Sequence, residues 1–361
     1  MISWGGVFGQ KGVTLQRFLE ENPGQQALLD QLAVRVHSLP APINSLQTAT
    51  LQIGVIFSGS DSDIENKAWL IAFKRRMQIL RIDYRLDVYY LPNGHDVRDV
   101  VRAFDAVGVS RFDYLVIDSV TEYLRPELER VLKRDYPKVI MLNVSTPFRV
   151  WRFHPPLVYI GVDYSQSMGR LASYLDRRLS NDATIDVVTV EDAYLYDSRC
   201  STFVNALETV GRSVRDYYIV ADSSEEGYRA AMSSLDHSSL HIDDEDTGRE
   251  QFIFACTPNI SLGVWEALKA AQVPYSYTNS WSGQAPYPGE SSRPNLLVTV
   301  LGMHDNMAIA TAEVVKAHME SRLSPMVYAE SSQLITQEMD EQTLNIIYEQ
   351  AFIYSRPLWP Q

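Results

Sequence analysis

Apolar segments and amphipathic segments alternate along most of the chain. The first apolar segment, Leu51–Phe57, is rich in Ile and Val and predicts a strand. A polar turn over Ser58–Asp63 and a helix over 64–80 follow it. The next predicted strands and helices alternate in the order 83–90, 96–107, 113–118, 123–134 and 138–143. Strands separated by helices of this length indicate a parallel sheet covered by helices.

The same alternation restarts after a short strand predicted at 157–162. Its helices and strands are predicted at 165–179, 184–190, 198–211, 215–220, 224–234, 252–256, 259–271, 273–278 and 296–301. His237–Glu250 is polar and acidic, which predicts a surface excursion. The last elements, at 305–321, 327–336 and 338–350, are too few for a third domain. We therefore expect them to complete the first two.

These patterns predict an α/β fold made of two Rossmann-like lobes with parallel sheets and a helical N-terminal arm. In the arm, residues 1–49, Leu and Phe recur at helical spacing until Pro40 and Pro42 end the pattern. The N-terminal lobe is predicted over 50–162 plus 305–325, and the C-terminal lobe over 163–304 plus 326–361. Because the chain passes between the lobes several times, we expect a hinge there.

The composition narrows the possible functions. A net charge of -13 disfavours nucleic acid and anionic membranes as partners, since both attract clustered Lys and Arg. No apolar run is long enough to insert into a membrane, and the chain lacks a signal-peptide pattern, so an exported protein would be a mature form. Cys200 and Cys256 leave a disulfide open, although two buried thiols are the preferred interpretation.

Motifs for catalysis or cofactor binding are missing from the sequence. It contains no GxGxxG, no GxxxxGK[ST], no GxSxG and no HExxH, and its seven His residues show no metal-ligand spacing. We therefore expect a protein that is not an enzyme and that uses no cofactor or metal.

Candidate ligand-binding residues follow the predicted strands, because parallel sheets bind ligands beyond their carboxyl ends. The candidates are mainly carboxylates and amides with one Arg and one Trp: Asp61, Asp63, Asn66, Asp118, Asn143, Arg199, Asn259, Trp281 and Asp305. Such side chains suit the hydroxyl groups and apolar ring faces of a small polar molecule. Structural roles stay open: Asp61, Asp63 or Asp305 could cap a helix, Asn143 could close a turn, and Trp281 could be a surface anchor.

Several longer stretches resemble the periplasmic type I binding proteins. They are Leu142–Trp151, Tyr159–Asp163, Asp197–Arg199, Phe252–Cys256, Asn279–Trp281 and Ala351–Ser355. Within that family the sequence is most similar to autoinducer-2 receptors of quorum sensing. This resemblance implies two lobes joined by three hinge crossovers that close around a small polar ligand. It also implies a periplasmic location and a membrane-bound sensor histidine kinase as signalling partner. The alternative is a substrate-binding component of a sugar ABC transporter.

The resemblance carries the pocket over only in part. Asn143, Arg199 and Trp281 fall on ligand-binding positions of the autoinducer-2 receptors. A second pocket Arg of those receptors aligns with Gly302, and neutral pocket residues align with Asp61 and Asp63. Because this pocket is more negative, we expect it to disfavour the anionic borate diester. A neutral, sugar-like polyol is the preferred ligand, and a cationic amine also fits.

Overall fold

A computed structural model describes residues 14–91, 97–110, 112–118, 124–190, 196–240, 249–282 and 295–358. These residues form two compact units. The first unit contains residues 14–163, Met303–Glu330 and 348–358. The second unit contains Tyr164–Gly302 and Ser331–Ile347.

The first unit is built on a six-stranded parallel sheet. Its strands are β1 (Leu51–Ser58), β2 (Tyr84–Leu91), β3 (Tyr114–Ile117), β4 (Lys138–Leu142), β5 (Val158–Val162) and β11 (Val327–Glu330). The order across the sheet is β11-β5-β4-β3-β1-β2. All of β3 and β5 is buried, as expected for short apolar strands covered on both faces. Chain order reverses between β1 and β3, so the ligand-binding edge is expected at their carboxyl ends.

Helices cover this sheet and the arm joins them. The helices are α1 (Leu15–Glu21), α2 (Pro23–His37), α3 (Ile64–Leu80), α4 (Val97–Ser110), α5 (Arg125–Arg134) and α10 (His304–Met319). Arm helix α2 buries Leu32 and Val36. Beneath the arm, Arg76 pairs with Glu313 at 2.7 Å and donates to the Arg35 carbonyl at 2.6 Å. Both Arg76 and Glu313 are buried, and the bond from Arg76 to the Arg35 carbonyl ties the arm to the unit.

The second unit contains another six-stranded sheet, with one antiparallel strand. Its strands are β6 (Thr184–Val190), β7 (Tyr217–Val220), β8 (Gln251–Ala255), β9 (Ser276–Trp281), β10 (Leu296–Leu301) and β12 (Gln333–Thr336). The order is β12-β10-β9-β8-β6-β7. The helices are α6 (Tyr164–Arg178), α7 (Thr202–Thr209), α8 (Ser224–Leu240) and α9 (Pro258–Ala271). The switch in chain order between β6 and β8 repeats the arrangement of the first sheet.

Two glycines allow α8 and α9 to pack closely. A Cβ atom on Gly263 would lie 1.9 Å from the Ser224 carbonyl oxygen, and one on Gly227 would lie 2.5 Å from the Ile260 carbonyl oxygen. Both clashes are with backbone, which cannot move aside as a flexible side chain could. Larger residues at these positions would therefore force the two helices apart.

The α/β architecture is as predicted, but two strands differ from their predicted positions. The strand predicted at 327–336 is two strands, β11 and β12, which belong to different sheets. β11 pairs with β5 of the first sheet. Ser332, which lies between β11 and β12, already contacts the second unit, since its hydroxyl donates to the Ser167 hydroxyl at 2.6 Å. The strand predicted at 273–278 is β9, which runs to Trp281 and so places that residue in the sheet.

The C-terminal lobe boundary is also corrected. Residues 326–361 were assigned to one lobe, yet β11 pairs within the first sheet. Helix α11 (Glu341–Ala351) begins in the second unit. From Tyr348 onward the chain belongs to the first unit. Of the predicted excursion at His237–Glu250, the residues up to 240 complete α8, and 241–248 lie outside the described residues.

Candidate functional site

The turn after β1 is fixed by its own polar groups. Gly59 has φ +89°, a conformation that L side chains rarely adopt, and a Cβ there would meet the Asp63 carboxylate. That carboxylate accepts the Ser60 N–H at 2.7 Å. The Asn66 amide donates to the carbonyls of Ser58 at 3.0 Å and Ser60 at 3.3 Å. These contacts give Asp63 and Asn66 a structural role in the turn.

Asp118 lies at the carboxyl end of β3, beside the switch point of the first sheet. Its side chain is buried, and its carboxylate accepts the Ser58 N–H at 2.9 Å. The pKa of Asp118 is raised from 3.8 to about 7, chiefly by burial and to a smaller extent by the charges of Glu65 and Asp63. The bond from Ser58 opposes this shift only partly. Asp118 is therefore a buried acid whose charged neighbours have the same sign.

A small cavity of about 50 Å³ lies at this edge of the first unit. It is lined by Phe57, Glu65, Asn66, Trp69, Asp118, Leu142, Asn143, His304 and Met307. His304, at the start of α10, pairs with Glu65 at 3.4 Å. Asn143 has a left-handed backbone, φ 58°, and donates to the Asp118 carbonyl at 3.1 Å. We call Glu65, Asn66, Asp118, Asn143 and His304 the acidic edge.

The equivalent edge of the second unit carries a cation. Arg199 lies in a π-helical turn, Tyr196–Ser201, which follows β6 and precedes α7. Its guanidinium carbon is 4.9 Å from the Tyr164 ring centroid and 4.7 Å from that of Trp281. Such distances are typical of cation–π contacts. We call Tyr164, Arg199 and Trp281 the arginine slot.

Backbone carbonyls at the end of β8 position the arginine slot. The Trp281 indole donates to the Ala255 carbonyl at 2.8 Å, and Arg199 Nη1 donates to the Cys256 carbonyl at 3.4 Å. Arg199 Nε is buried and has no hydrogen-bond partner among the described residues. A buried, unsatisfied donor is unfavourable, so this N–H is well placed to be satisfied by an acceptor that arrives from outside the chain.

Cys200 and Cys256 form a disulfide next to Arg199, with Cα atoms 5.7 Å apart and both side chains fully buried. The expectation of two free thiols is therefore wrong. The sequence could not show it because the two residues are separated by 56 positions. The crosslink ties the π-helical turn to the end of β8 and so restrains the backbone on both sides of Arg199.

Several solved structures have folds similar to that of this chain. No protein-family model matches it. A protein described as a periplasmic ribose ABC transporter from Conexibacter woesei is 15% identical, with 83% of this chain and 96% of that one covered, at a TM-score of 0.64. An ABC transporter solute-binding protein from Agrobacterium vitis, bound to α-D-tagatopyranose, is 13% identical, with 82% and 99% covered and a TM-score of 0.66. Another from Bacillus halodurans, bound to myo-inositol, is 15% identical, with 81% and 97% covered and a TM-score of 0.60.

The chain has the type I periplasmic binding protein fold. At these identities the likeness establishes the fold and leaves the ligand of this chain to be argued from its own residues. Within the described ranges, no helix is both long enough and apolar enough to cross a bilayer. The same residues contain no cluster of three or more His, Cys, Asp or Glu that could hold a metal ion.

Asp305 has a structural role in this type I fold, while its role as a ligand contact stays a prediction. Its fully buried carboxylate accepts the N–H groups of Tyr354 at 2.6 Å and Ser355 at 2.9 Å, and the Ser355 hydroxyl at 2.6 Å. These bonds hold the returning C-terminal segment against the first turn of α10. The carboxylate is therefore engaged by the chain itself.

Three other candidates lie at the predicted edges without a shown ligand role. Asp61 is exposed on the turn after β1. Asn259 is partly buried at the second position of α9, the helix that follows β8. Trp281 belongs to the arginine slot and is buried in β9 rather than anchored in a loop. For Asp61 and Asn259, contact with a ligand stays a prediction.

Sequence reasoning did not select Glu65, Trp69 or Tyr164. Glu65 and Trp69 lie on α3, like the selected Asn66, and Tyr164 is the first residue of α6, two positions after β5. Glu65 directly precedes the selected residue Asn66, and Trp69 lies three residues after it. Extending the search by one helical turn past each strand would have found both.

Proposed function

We propose that this protein binds a small, neutral, hydroxylated molecule, a sugar or polyol, and delivers it to an ABC transporter from the periplasm. It performs no catalysis. The observation that carries the proposal is Arg199, which is held between two aromatic rings with a buried and unpartnered Nε–H. The type I fold supports it, because similar structures are of solute-binding proteins whose bound molecules include a ketohexose and an inositol.

The arginine slot suits a hydroxylated ring for two physical reasons. A guanidinium offers donors in a fixed plane, and sugar hydroxyl oxygens accept such bonds. The Trp281 and Tyr164 rings supply a flat apolar surface for the C–H face of a ring. Their contacts also hold the guanidinium in place before a ligand arrives, which reduces the entropy lost on binding.

Binding can be tested by isothermal titration calorimetry with a panel of pentoses, hexoses and cyclic or acyclic polyols. We expect one of them to bind and Arg199→Ala to weaken it at least about tenfold, the usual effect of losing a charged hydrogen-bond donor. Arg152→Ala is the matched control, because Arg152 also covers an aromatic ring, 4.5 Å from the exposed Phe153. Equal loss in both variants, or no binding by any member, would refute the proposal.

Delivery to a transporter needs a separate measurement. In the host organism, deletion of the gene should abolish uptake of the radiolabelled ligand, and the wild-type gene should restore it. Restoration by the Arg199→Ala gene only at high ligand concentration would connect uptake to the binding site. Unchanged uptake after deletion would count against a transport role.

A LuxP-like autoinducer-2 receptor that signals to a membrane-bound sensor histidine kinase is the second candidate. It is favoured by the match of Asn143, Arg199 and Trp281 to the pocket of such receptors, and by an arm that is fastened to the first unit through Arg76. Under this candidate, autoinducer-2 binds with or without borate and the protein captures the periplasmic domain of the sensor. Titration with autoinducer-2 at several borate concentrations distinguishes the two, since the transporter proposal expects the neutral polyols to bind more tightly.

A further inference from the structure

The cavity at the acidic edge is small enough to restrict what can enter it. Its volume of about 50 Å³ exceeds the roughly 30 Å³ that a water molecule occupies in the liquid. It therefore has room for one end of a small polar ligand, rather than for a whole sugar ring. The chemistry of its walls then determines which group is favoured.

Charge is unevenly distributed over these walls. Asp118 is 9% exposed, and the charged residues that shift its pKa, Glu65 and Asp63, are both carboxylates. His304 also faces the cavity, but its Nε2 lies 3.4 Å from Glu65. A buried carboxylate without a cationic partner is costly, and a cation brought within about 4–6 Å of it is strongly favoured.

Trp69 supplies an independent indication of a ligand. It lines the same cavity, is 4% exposed, and its Nε1–H has no hydrogen-bond partner among the described residues. The ring is fixed by stacking on Phe73, with centroids 4.8 Å apart, and by an edge contact with Phe57 at 5.5 Å. An indole N–H can only donate, so its partner must be an acceptor, such as the oxygen of a hydroxyl group.

We propose that the cavity binds the ammonium-bearing end of an amino sugar or amino polyol, with Asp118 holding the ammonium and Trp69 donating to a neighbouring hydroxyl oxygen. This inference rests on the proposed function, and it replaces the neutral polyol proposed there with a polyol that carries one ammonium group. Glu65 adds to the negative potential, while Ser58 holds the Asp118 carboxylate toward one side through its backbone N–H.

Burial and neighbouring charge make this preference measurable. Burial holds the pKa of Asp118 at about 7, so near that pH the carboxyl is partly protonated. An ammonium beside it favours the ionised form and should lower its pKa, which releases protons on binding. A neutral hydroxyl lacks this effect. The charged and titratable groups that face Asp118 are Glu65 on α3, Asp63 in the preceding turn and His304 on α10.

The test compares two fragments of equal size, 2-amino-1,3-propanediol and glycerol, which avoids assumptions about sugar stereochemistry. The ¹³C signal of the Asp118 carboxyl is titrated from pH 5 to 9 in the full-length protein, alone and with each fragment. We expect the amine to lower the pKa of Asp118 by at least about one unit, and to bind at least about tenfold more tightly than glycerol. Equal effects of both fragments, or no effect of the amine at millimolar concentrations, would overturn the inference.

Variants make the assignment specific. Asp118→Asn should remove the preference for the amine, and Trp69→Phe should weaken both fragments. Asp113→Asn is the control, because Asp113 lies at the opposite end of β3 and its carboxylate accepts the Gln52 N–H at 2.8 Å. Binding of neutral sugars that depends on Arg199 without any response to the amine would leave the proposed function intact. If no sugar binds either, the proposed function itself fails.

Discussion

Asp118 and Arg199 lie beside the switch points of two sheets that have the same strand order, yet their surroundings differ. Arg199 is restrained by a disulfide, two aromatic rings and a backbone carbonyl. Asp118 is restrained by Ser58, and its charged neighbours repel its ionised form. The same strand order therefore positions a restrained arginine in one unit and, in the other, a buried carboxylate whose pKa is raised by the acidic residues described around it.

The difference shows how a fold and a site can vary independently. Parallel strands of either sheet bring the residues that follow them to one edge, whatever those residues are. What each edge can bind depends on helix residues such as Tyr164 and Glu65, and on a crosslink between distant positions.

Replacement of Asp118 by Asn should stabilise the protein, and increasingly so as the pH rises. The pKa of Asp118 is higher in the folded state, about 7, than its ordinary 3.8, so its ionisation opposes folding. The penalty is absent below about pH 4, grows up to about pH 7 and is constant above, where it reaches up to about 4 kcal/mol. Urea unfolding of both proteins at pH 5, 6, 7 and 8 measures it.

A stability difference that does not change with pH would contradict this account of Asp118. The Asp113→Asn variant serves as the control for that series. Its carboxylate accepts hydrogen bonds from the Gln52 N–H and the Tyr136 hydroxyl, so its loss should destabilise rather than stabilise.

Removal of the crosslink with Cys200→Ala and Cys256→Ala should destabilise the second unit by about 3 kcal/mol. The disulfide closes a loop of 56 residues, and closing such a loop restricts the unfolded chain. Ligand affinity should fall as well, because the turn that carries Arg199 loses its restraint. Denaturant titration and calorimetry measure the two effects. A thiol assay of the unfolded wild type that finds two free thiols would refute the crosslink.

Much of the fold could be predicted from the sequence because hydrophobic patterning reports burial directly. The helix over 64–80 and the strands over 184–190 and 296–301 lie at their predicted positions. The single strand predicted over 327–336 failed for a physical reason. Val327–Glu330 and Gln333–Thr336 both have strand patterns, and nothing in a linear pattern shows that the chain changes sheets at Ser331.

The site was less predictable because strand ends give positions but not partners. Arg199 and Asp118 lie at the predicted sheet edges, yet their contacts come from residues far away in the chain. Asp305 shows the limit most clearly. It follows a strand, as a ligand contact would, but its carboxylate binds the backbone of Tyr354 and Ser355, about 50 positions later. No local pattern distinguishes these two uses of one carboxylate.

Trp281→Phe should separate the ring of the arginine slot from its hydrogen bond. Phe keeps an aromatic face for Arg199 but loses the indole N–H, which donates to the Ala255 carbonyl at 2.8 Å. We expect a stability loss of about 1 kcal/mol and a loss of affinity smaller than that of Arg199→Ala. Trp265→Phe is the control, since Trp265 lies on α9 of the same unit and outside the slot. An affinity loss equal to that of Arg199→Ala would show that the indole N–H orients the whole slot.

Glu65→Gln should change stability least, yet it tests the electrostatics of the acidic edge most directly. Glu65 is 42% exposed and its pair with His304 is partly screened by water, so we expect less than about 1 kcal/mol. Its charge raises the pKa of Asp118, so the neutral variant should move the Asp118 titration to lower pH by a fraction of a unit. The shift is measured as the change in the pH above which the stabilisation by Asp118→Asn stops increasing, compared between the wild-type and Glu65→Gln backgrounds. If that pH stays the same, burial alone sets the pKa of Asp118, and the acidic edge does not act as a group.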